Sequence, residues 1–107
     1  MDDVEFLYSP DCPSYRPALA LLREVLTEER LPLEIRMVSV DTEFEAHRVQ
    51  FPGSPTIRVH GQDIEGTKAP PTGLTCRTYR RPDGTMSPVP SKEAIRQAVR
   101  GALEAAE

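Results

Sequence analysis

Two cysteines are the residues of this chain whose type and position best suit covalent chemistry. Cys12 lies in DCPSY (residues 11–15), between a short apolar run and a helical pattern, and Cys76 lies far along the chain in an alternating stretch. A cysteine at the start of a helix meets unpaired N–H groups and the positive end of the helix dipole, both of which favour a thiolate. The position therefore predicts a reactive thiol at Cys12, against the alternative of a small, partly buried apolar residue.

The apolar pattern predicts the elements that position Cys12. Residues 4–8 form an apolar run of strand length that ends at Ser9-Pro10-Asp11. Pro13 suits the first helical position, because its missing N–H is not needed there. Apolar residues then recur at helical spacing, at Ala18, Leu19, Leu22, Val25 and Leu26. We therefore expect a strand, a tight loop that carries Cys12, and a helix.

Two more strands and a second helix are predicted in the middle of the chain. Residues 33–40 alternate as a half-buried strand does, with Leu33, Ile35 and Met37 on one face. Thr42 and Glu45 match a capping box, and the helix that follows has Phe44, His47, Arg48 and Phe51 at one-turn spacings until Pro52-Gly53. Residues 56–60 read as a third strand, with a turn at Gly61-Gln62 and a return at Ile64.

The last third of the chain predicts a loop, a fourth strand and a helix. Residues 66–74 are rich in Pro, Thr and Gly and are typical of a loop, whereas residues 75–80 alternate again before the Pro82-Asp83-Gly84 turn. Ser91 is placed to cap a final helix, whose apolar stripe is Ile95, Ala98, Val99, Ala102 and Leu103. The order is β-α-β-α-β-β-α in a single α/β domain over residues 1–107, with a central mixed sheet flanked by helices on both faces.

This order resembles that of the thioredoxin superfamily, with Cys12 at the first strand-to-helix junction and Ser54-Pro55-Thr56 leading into the third strand. The resemblance covers nearly the whole chain. It implies that Cys12 is the nucleophile and that Pro55 is a cis-proline beside it, where Ser54 and Thr56 help to bind substrate. The alternative for Pro55 is a trans proline that simply opens a strand.

The usual second cysteine of the family motif is replaced by Tyr15. A monothiol, glutaredoxin-like or peroxidase-like mechanism therefore stays open. Cys76 is the candidate resolving thiol if its loop brings it near Cys12, and glutathione is the alternative co-substrate; otherwise Cys76 is an inert cysteine on a strand. Tyr15 and Arg16 are candidates for binding an anionic or sulfur-containing substrate, against the alternatives of a half-buried aromatic and an exposed arginine.

Other chemistries find less support. Arg77, Arg80 and Arg81 form a small basic group that is either an anion-attracting patch or a solvated face. The spacing of His47 and His60 relative to the cysteines does not match a structural zinc site, and a soft metal held by two thiolates stays open. The sequence has no G-x-S-x-G motif of hydrolases, no P-loop, and no glycine pattern of a dinucleotide-binding protein.

The composition and the N-terminal residues indicate which partners and which cellular compartment to expect. The 107 residues are 38% hydrophobic and 28% charged with a net charge of -4, which does not favour nucleic acid as a partner. No segment approaches the roughly 20 apolar residues that a membrane helix needs, so no membrane is expected as a partner. The acidic N-terminus does not match a secretory signal, so we expect a cytoplasmic protein whose cysteines are mostly reduced. The main hypothesis is a thiol-disulfide oxidoreductase without a bound cofactor, acting on a protein or small-molecule thiol or disulfide. The alternative is a non-catalytic binding or interaction module of the same fold.

Overall fold

Strand β1 (Val4–Tyr8) is the strand on which the sheet is built. A computed structural model describes residues 4–66 and 72–106, with the backbone alone for residues 102–106. β1 pairs in parallel with β2 (Ile35–Ser39) on one side and antiparallel with β3 (Thr56–Val59) on the other. β4 (Gln62–Asp63) continues the sheet antiparallel to β3, so the strand order is β2-β1-β3-β4. The result is a mixed four-stranded sheet.

The alternation of side chains along β1 divides the core between the two faces of the sheet. Phe6 packs into a buried cluster with residues of α1 (Tyr15–Glu28) and α3 (Lys92–Ala106). Leu7 points to the opposite face, where its cluster includes Ala46 of α2 (Glu43–Arg48). Helices therefore cover both faces, and the carboxyl end of β1 leads directly into the loop that carries Cys12.

Helix α1 begins later than the sequence predicts. Its first residue is Tyr15, with Ser14 in the N-cap position, so the placement of Pro13 as the first helical residue is wrong. Cys12 therefore lies in the connecting loop, three positions before the first helical residue. The side chain of Ser14 does not cap the helix, which leaves its hydroxyl group for another partner.

The fourth strand predicted over residues 75–80 forms only at Tyr79–Arg80, and not in the central sheet. The sheet is completed by β4, which returns from β3 through His60 and Gly61, both at positive φ as a two-residue hairpin turn requires. Because this hairpin closes a loop of only two residues, pairing β4 beside β3 costs less loop-closure entropy than pairing a distant segment there. Within that segment, β5 (Tyr79–Arg80) pairs instead with β6 (Met86–Ser87) in a separate two-stranded sheet.

Both helix caps that the sequence predicts are confirmed. The hydroxyl of Thr42 accepts a hydrogen bond from the Glu45 N–H at 3.1 Å, and that of Ser91 accepts one from the Ala94 N–H at 3.1 Å. Helix α2 ends at Arg48, earlier than the predicted stop at Pro52-Gly53. Of the two aromatic residues at one-turn spacings, Phe51 is buried and Phe44 is 76% exposed. The side chains of Ala102 and Leu103, and positions 67–71 of the predicted loop, lie outside the described residues.

Candidate functional site

The Cys12 thiol is buried at the junction of β1 and α1. The Cys12 N–H donates to the Ser9 carbonyl at 3.0 Å, which closes the connecting turn. Cys12 is only 3% exposed. Its Sγ lies 3.0 Å from the Ser14 hydroxyl and 3.6 Å from the Ser54 carbonyl oxygen. The sulfur therefore has polar partners from both loops that meet at this end of the sheet.

The loop before β3 forms the other side of the site. The Ser54-Pro55 peptide bond is cis, the geometry that the resemblance implied. The Ser9 N–H donates to the Ser54 hydroxyl at 3.0 Å, which joins this loop to the loop of Cys12. The Thr56 hydroxyl donates to the Gly53 carbonyl at 2.6 Å. All three residues predicted from Ser54-Pro55-Thr56 are buried, and Ser54 makes the direct contact with Cys12.

Cys76 lies beside Cys12, with 3.8 Å between the two Sγ atoms. A short backbone pairing places it there: the Ser54 N–H donates to the Thr75 carbonyl and the Arg77 N–H donates to the Ser54 carbonyl, each at 2.8 Å. Both thiols are free, Cys12 buried and Cys76 exposed. The structure therefore brings together the two cysteines that the sequence separates by 64 positions.

The pKa values of the two thiols are shifted in opposite directions. Burial raises the pKa of Cys12, but hydrogen bonds from Ser14, Ser54 and Cys76 outweigh it, so the pKa is lowered overall. The pKa of Cys76 is raised, first by its hydrogen bond to Cys12 and then by burial. When the pair loses one proton, the charge therefore settles on Cys12 while Cys76 keeps its hydrogen.

A buried arginine that sequence reasoning placed in a basic surface group fastens the segment that carries Cys76. The Arg77 guanidinium is 2% exposed overall and makes two hydrogen bonds to the Asp63 carboxylate, at 2.7 and 2.8 Å. It also donates to the Thr56 hydroxyl at 3.1 Å and lies 4.5 Å from the centre of the Tyr79 ring. The Tyr79 hydroxyl donates to the Pro55 carbonyl. Arg77, which directly follows Cys76, thus links the segment that carries Cys76 to β3 and β4.

The alternation of residues 75–79 was the sequence signal for this arrangement. It placed Arg77 and Tyr79 on one side of the segment. Their side chains do face the sheet, where both are buried, while Cys76 and Thr78 are exposed. Asp63 carried no signal, because nothing in its local sequence indicates a partner 14 positions away.

Gly53 allows the close approach of the two segments. Its φ is +124°, and a Cβ atom at this position would lie 3.0 Å from the Arg77 Cβ and 3.2 Å from the Thr75 carbonyl oxygen. A side chain would therefore be disfavoured by backbone conformation and would require the neighbouring segment to move back by a few tenths of an ångström.

The structure places Tyr15 and Arg16 at the first turn of α1. Tyr15 is half-buried and stacks on Tyr8, with 4.6 Å between ring centres. Its hydroxyl accepts a hydrogen bond from the exposed Arg16 at 3.3 Å. These contacts match the structural alternatives for both residues, and their substrate-binding role stays a prediction.

A cleft of about 120 Å³ opens beside the sulfur of Cys12. Its lining combines the loop between β1 and α1 with the Cys76 segment: Ser9, Asp11, Cys12, Leu74, Thr75 and Cys76. A larger, separate hollow of about 710 Å³ lies between the β5–β6 hairpin and α3 and includes Arg80 and Arg81. Among the described residues, no three His, Cys, Asp or Glu side chains are grouped so as to hold a metal ion.

Comparisons of the chain with protein-family models, with curated proteins and with solved structures found no significant match. Within the described residues, no helix has both the length and the apolar character needed to span a bilayer.

Proposed function

We propose that this chain is a thiol-disulfide redox protein of thioredoxin-like fold, in which Cys12 is the nucleophile and Cys76 the resolving thiol. The observation that carries the proposal is the 3.8 Å separation of a buried thiol with lowered pKa from an exposed thiol with raised pKa. A disulfide bond is about 2.05 Å long, so less than 2 Å of movement joins the two sulfurs. Unequal acidity assigns a separate role to each cysteine.

The sheet supports the thioredoxin-like part of the proposal. A parallel β1-α1-β2 unit is followed by β3 and β4, which run antiparallel to each other and extend the sheet from the β1 side. The nucleophile follows the first strand, and the proline that precedes the third strand lies in the adjacent loop. These are the positions that the resemblance assigns to Cys12 and Pro55.

The reaction with a disulfide substrate proceeds in two exchanges. The Cys12 thiolate attacks one substrate sulfur, which breaks the substrate S–S bond, forms a mixed disulfide and releases the first substrate thiolate. Cys76 then loses its proton and attacks the Cys12 sulfur, which forms the Cys12–Cys76 disulfide and releases the second thiolate. The substrate gains two electrons and the protein dithiol loses two. Two equivalents of a small thiol of the glutathione class restore the dithiol.

The residues around the sulfurs support these steps. The Ser14 hydroxyl donates to the Cys12 thiolate and stabilises it before attack. The Cys76 thiol donates to the same sulfur, so it already lies next to the atom that it must attack. No bound cofactor enters this scheme, and glutathione serves only as a co-substrate.

Equilibration with mixtures of reduced and oxidised dithiothreitol tests the proposal. The expected result is one reversible two-electron transition, in which mass spectrometry finds an internal Cys12–Cys76 disulfide. Cys12→Ser and Cys76→Ser each remove the transition. A second measurement follows the pH dependence of alkylation at each cysteine, and Cys12 is expected to react at lower pH than Cys76.

A folded protein that forms no internal disulfide either in these mixtures or with hydrogen peroxide would refute the proposal. The sequence alternative, a non-catalytic binding module whose cysteines are structural, would then describe the domain better.

A further inference from the structure

We propose that the oxidant of this dithiol is a small, uncharged hydroperoxide of the size of hydrogen peroxide, and that extended peptide disulfides are poor substrates. This inference rests on the proposed redox function and names the class of oxidant for it. Three features of the described residues carry it. The backbone of Ser54 is paired with the Thr75-Cys76-Arg77 segment, a buried ion pair holds that segment in place, and the cleft at Cys12 is small and carries an acidic residue.

The backbone next to the nucleophile is already paired. An extended peptide that presents a disulfide to Cys12 would gain affinity by pairing with the free backbone groups of the adjacent loop. Here the N–H of Ser54 donates to Thr75 and its carbonyl accepts from Arg77, both at 2.8 Å. The chain's own Thr75-Cys76-Arg77 segment therefore occupies the place where a substrate strand would pair, and it presents the Cys76 sulfur to Cys12.

This segment is held too firmly to yield to a weakly bound peptide. Displacing it would separate the Arg77 guanidinium from the Asp63 carboxylate, and the Arg77 side chain in that pair is fully buried. It would also remove the Tyr79 ring from beneath the guanidinium. Separating a buried ion pair leaves uncompensated charge, which is strongly unfavourable. The substrate must therefore reach Cys12 with the segment in place.

Among the described residues, a cleft of about 120 Å³ leads to the sulfur with the segment in place. Sites for drug-sized ligands span about 300–1,000 Å³, whereas a water molecule occupies about 30 Å³ in the liquid. The cleft admits a molecule of a few heavy atoms. Asp11 lines it with a carboxylate, which disfavours anionic oxidants such as oxidised glutathione. A small neutral hydroperoxide satisfies both limits.

The chemistry balances with the two thiols alone. The Cys12 thiolate attacks one peroxide oxygen, the O–O bond breaks, and Cys12 becomes a sulfenic acid. The leaving oxygen takes the proton of Cys76 and departs as water, or as an alcohol from an alkyl hydroperoxide. The Cys76 thiolate then attacks the Cys12 sulfur, forming the disulfide and expelling hydroxide, which takes a proton from solvent. The peroxide gains two electrons and the dithiol loses two.

The test compares oxidants of different size on one thiol. Cys76→Ser leaves Cys12 as the single cysteine, and its oxidation is timed by mass spectrometry with hydrogen peroxide, cumene hydroperoxide and oxidised glutathione. Each rate in the folded protein is divided by the rate in the same variant unfolded in urea. Because the same sulfur reacts throughout, differences in thiolate fraction cancel when two oxidants are compared.

The folded-to-unfolded ratio for hydrogen peroxide is expected to exceed the ratios for the two larger oxidants by about tenfold or more. Mass spectrometry should find one added oxygen on Cys12 in this variant, which a 1,3-diketone probe traps as sulfenic acid once urea has unfolded the protein. The wild-type protein should instead form the internal disulfide.

Equal ratios, or a larger ratio for oxidised glutathione, would overturn the hydroperoxide assignment. If the wild-type protein still formed its internal disulfide in the dithiothreitol mixtures, the proposed redox function would stand without it. Absence of reaction with every oxidant, together with no internal disulfide, would overturn both.

Discussion

The Sγ atoms of Cys12 and Cys76 lie 3.8 Å apart, one buried and the other exposed, although 64 positions separate the two residues. Ser54 is the residue that both contact: its carbonyl oxygen accepts from the Cys12 thiol, and its backbone pairs with the residues on either side of Cys76. The cysteine pair therefore depends on one loop for its geometry. Changes to that loop or to its neighbours should alter both the acidity of Cys12 and the rate of disulfide formation.

Replacement of Ser14 by Ala should raise the pKa of Cys12. The Ser14 hydroxyl lies 3.0 Å from the sulfur and stabilises the thiolate, and a hydrogen bond to a charged group is worth about 1.5–3 kcal/mol. At neutral pH the alkylation rate of Cys12 should fall roughly fivefold or more. Thr27→Ala is the control, because the Thr27 hydroxyl donates to the Arg23 carbonyl near the end of α1 opposite Cys12. Equal alkylation rates of Cys12 in the two variants would show that Ser14 does not stabilise the thiolate.

The lowered pKa of Cys12 also predicts how stability depends on pH. In Cys76→Ser only Cys12 remains as a thiol, and the hydrogen bonds from Ser14 and Ser54, which lower its pKa more than Cys76 does, still favour its thiolate in the folded state. The free energy of unfolding should therefore rise as pH increases from the folded pKa toward the unfolded pKa, and this gain should vanish as pH falls through the folded value. Urea titrations across neutral to alkaline pH measure it. The double variant Cys12→Ser/Cys76→Ser should lack the gain, and a gain of the same size there would contradict the prediction.

Oxidation should stabilise the wild-type fold. A bond between Cys12 and Cys76 closes a loop of 64 positions, and a disulfide typically adds about 2–4 kcal/mol to the free energy of unfolding. Thermal unfolding of the reduced and oxidised forms, with thiols counted in each, measures the difference. Cys76→Ser treated with the same oxidant should show no such gain. A less stable oxidised form would mean that the bond distorts the loops around Ser54.

Breaking the buried ion pair should affect both stability and chemistry. Asp63→Asn leaves the guanidinium of Arg77 buried without its counter-charge, so unfolding should become easier by about 3–5 kcal/mol. The segment that carries Cys76 should also shift, and closure of the Cys12–Cys76 disulfide should slow by about tenfold or more. Closure is timed at a temperature where the variant remains folded.

Glu24→Gln is the control for the ion pair, because its partner Lys92 and Glu24 itself are both substantially exposed. This change should alter stability by about 1 kcal/mol or less and leave closure unaffected. An Asp63→Asn protein that lost stability but closed its disulfide at the wild-type rate would assign Arg77 to the fold alone.

Local signals predicted the strand, loop and helix around Cys12, although not the residue at which α1 begins. The apolar run of β1, the proline-rich turn and the periodicity of α1 all act within a few residues, as do the caps at Thr42 and Ser91. The loop before β3 was also placed correctly beside Cys12, on the strength of the resemblance.

The rest of the site depends on long-range contacts that local patterns do not encode. Residues 75–80 alternate like a strand, but the β3–β4 hairpin forms locally and takes the position at the sheet edge, so the segment pairs with Ser54 instead. Arg77 is buried only because Asp63 neutralises it, whereas arginine is ordinarily a surface residue. The proximity of Cys76 to Cys12 follows from these contacts, and the sequence left it open.

Replacement of Gly53 by Ala should separate the two thiols, because the new Cβ would lie 3.0 Å from the Cβ of Arg77 and 3.2 Å from the Thr75 carbonyl. The backbone there is at φ +124°, so the change also strains Gly53 itself. Gly61→Ala separates the two effects: φ is +82° at that turn, and nothing lies within 4 Å of an added Cβ. Gly61→Ala should lower the free energy of unfolding by about 1–2 kcal/mol and leave disulfide closure unchanged.

Gly53→Ala should lower stability further and slow closure by about tenfold or more, as the Thr75-Cys76-Arg77 segment moves away from Ser54. The pKa of Cys12 should rise at the same time, since its hydrogen bond from Cys76 is lost when the sulfurs separate. Timed oxidation, alkylation against pH and urea unfolding measure the three effects on the same preparation. If Gly53→Ala matched Gly61→Ala in closure rate and in Cys12 reactivity, the contact between the two segments would not control the cysteine pair.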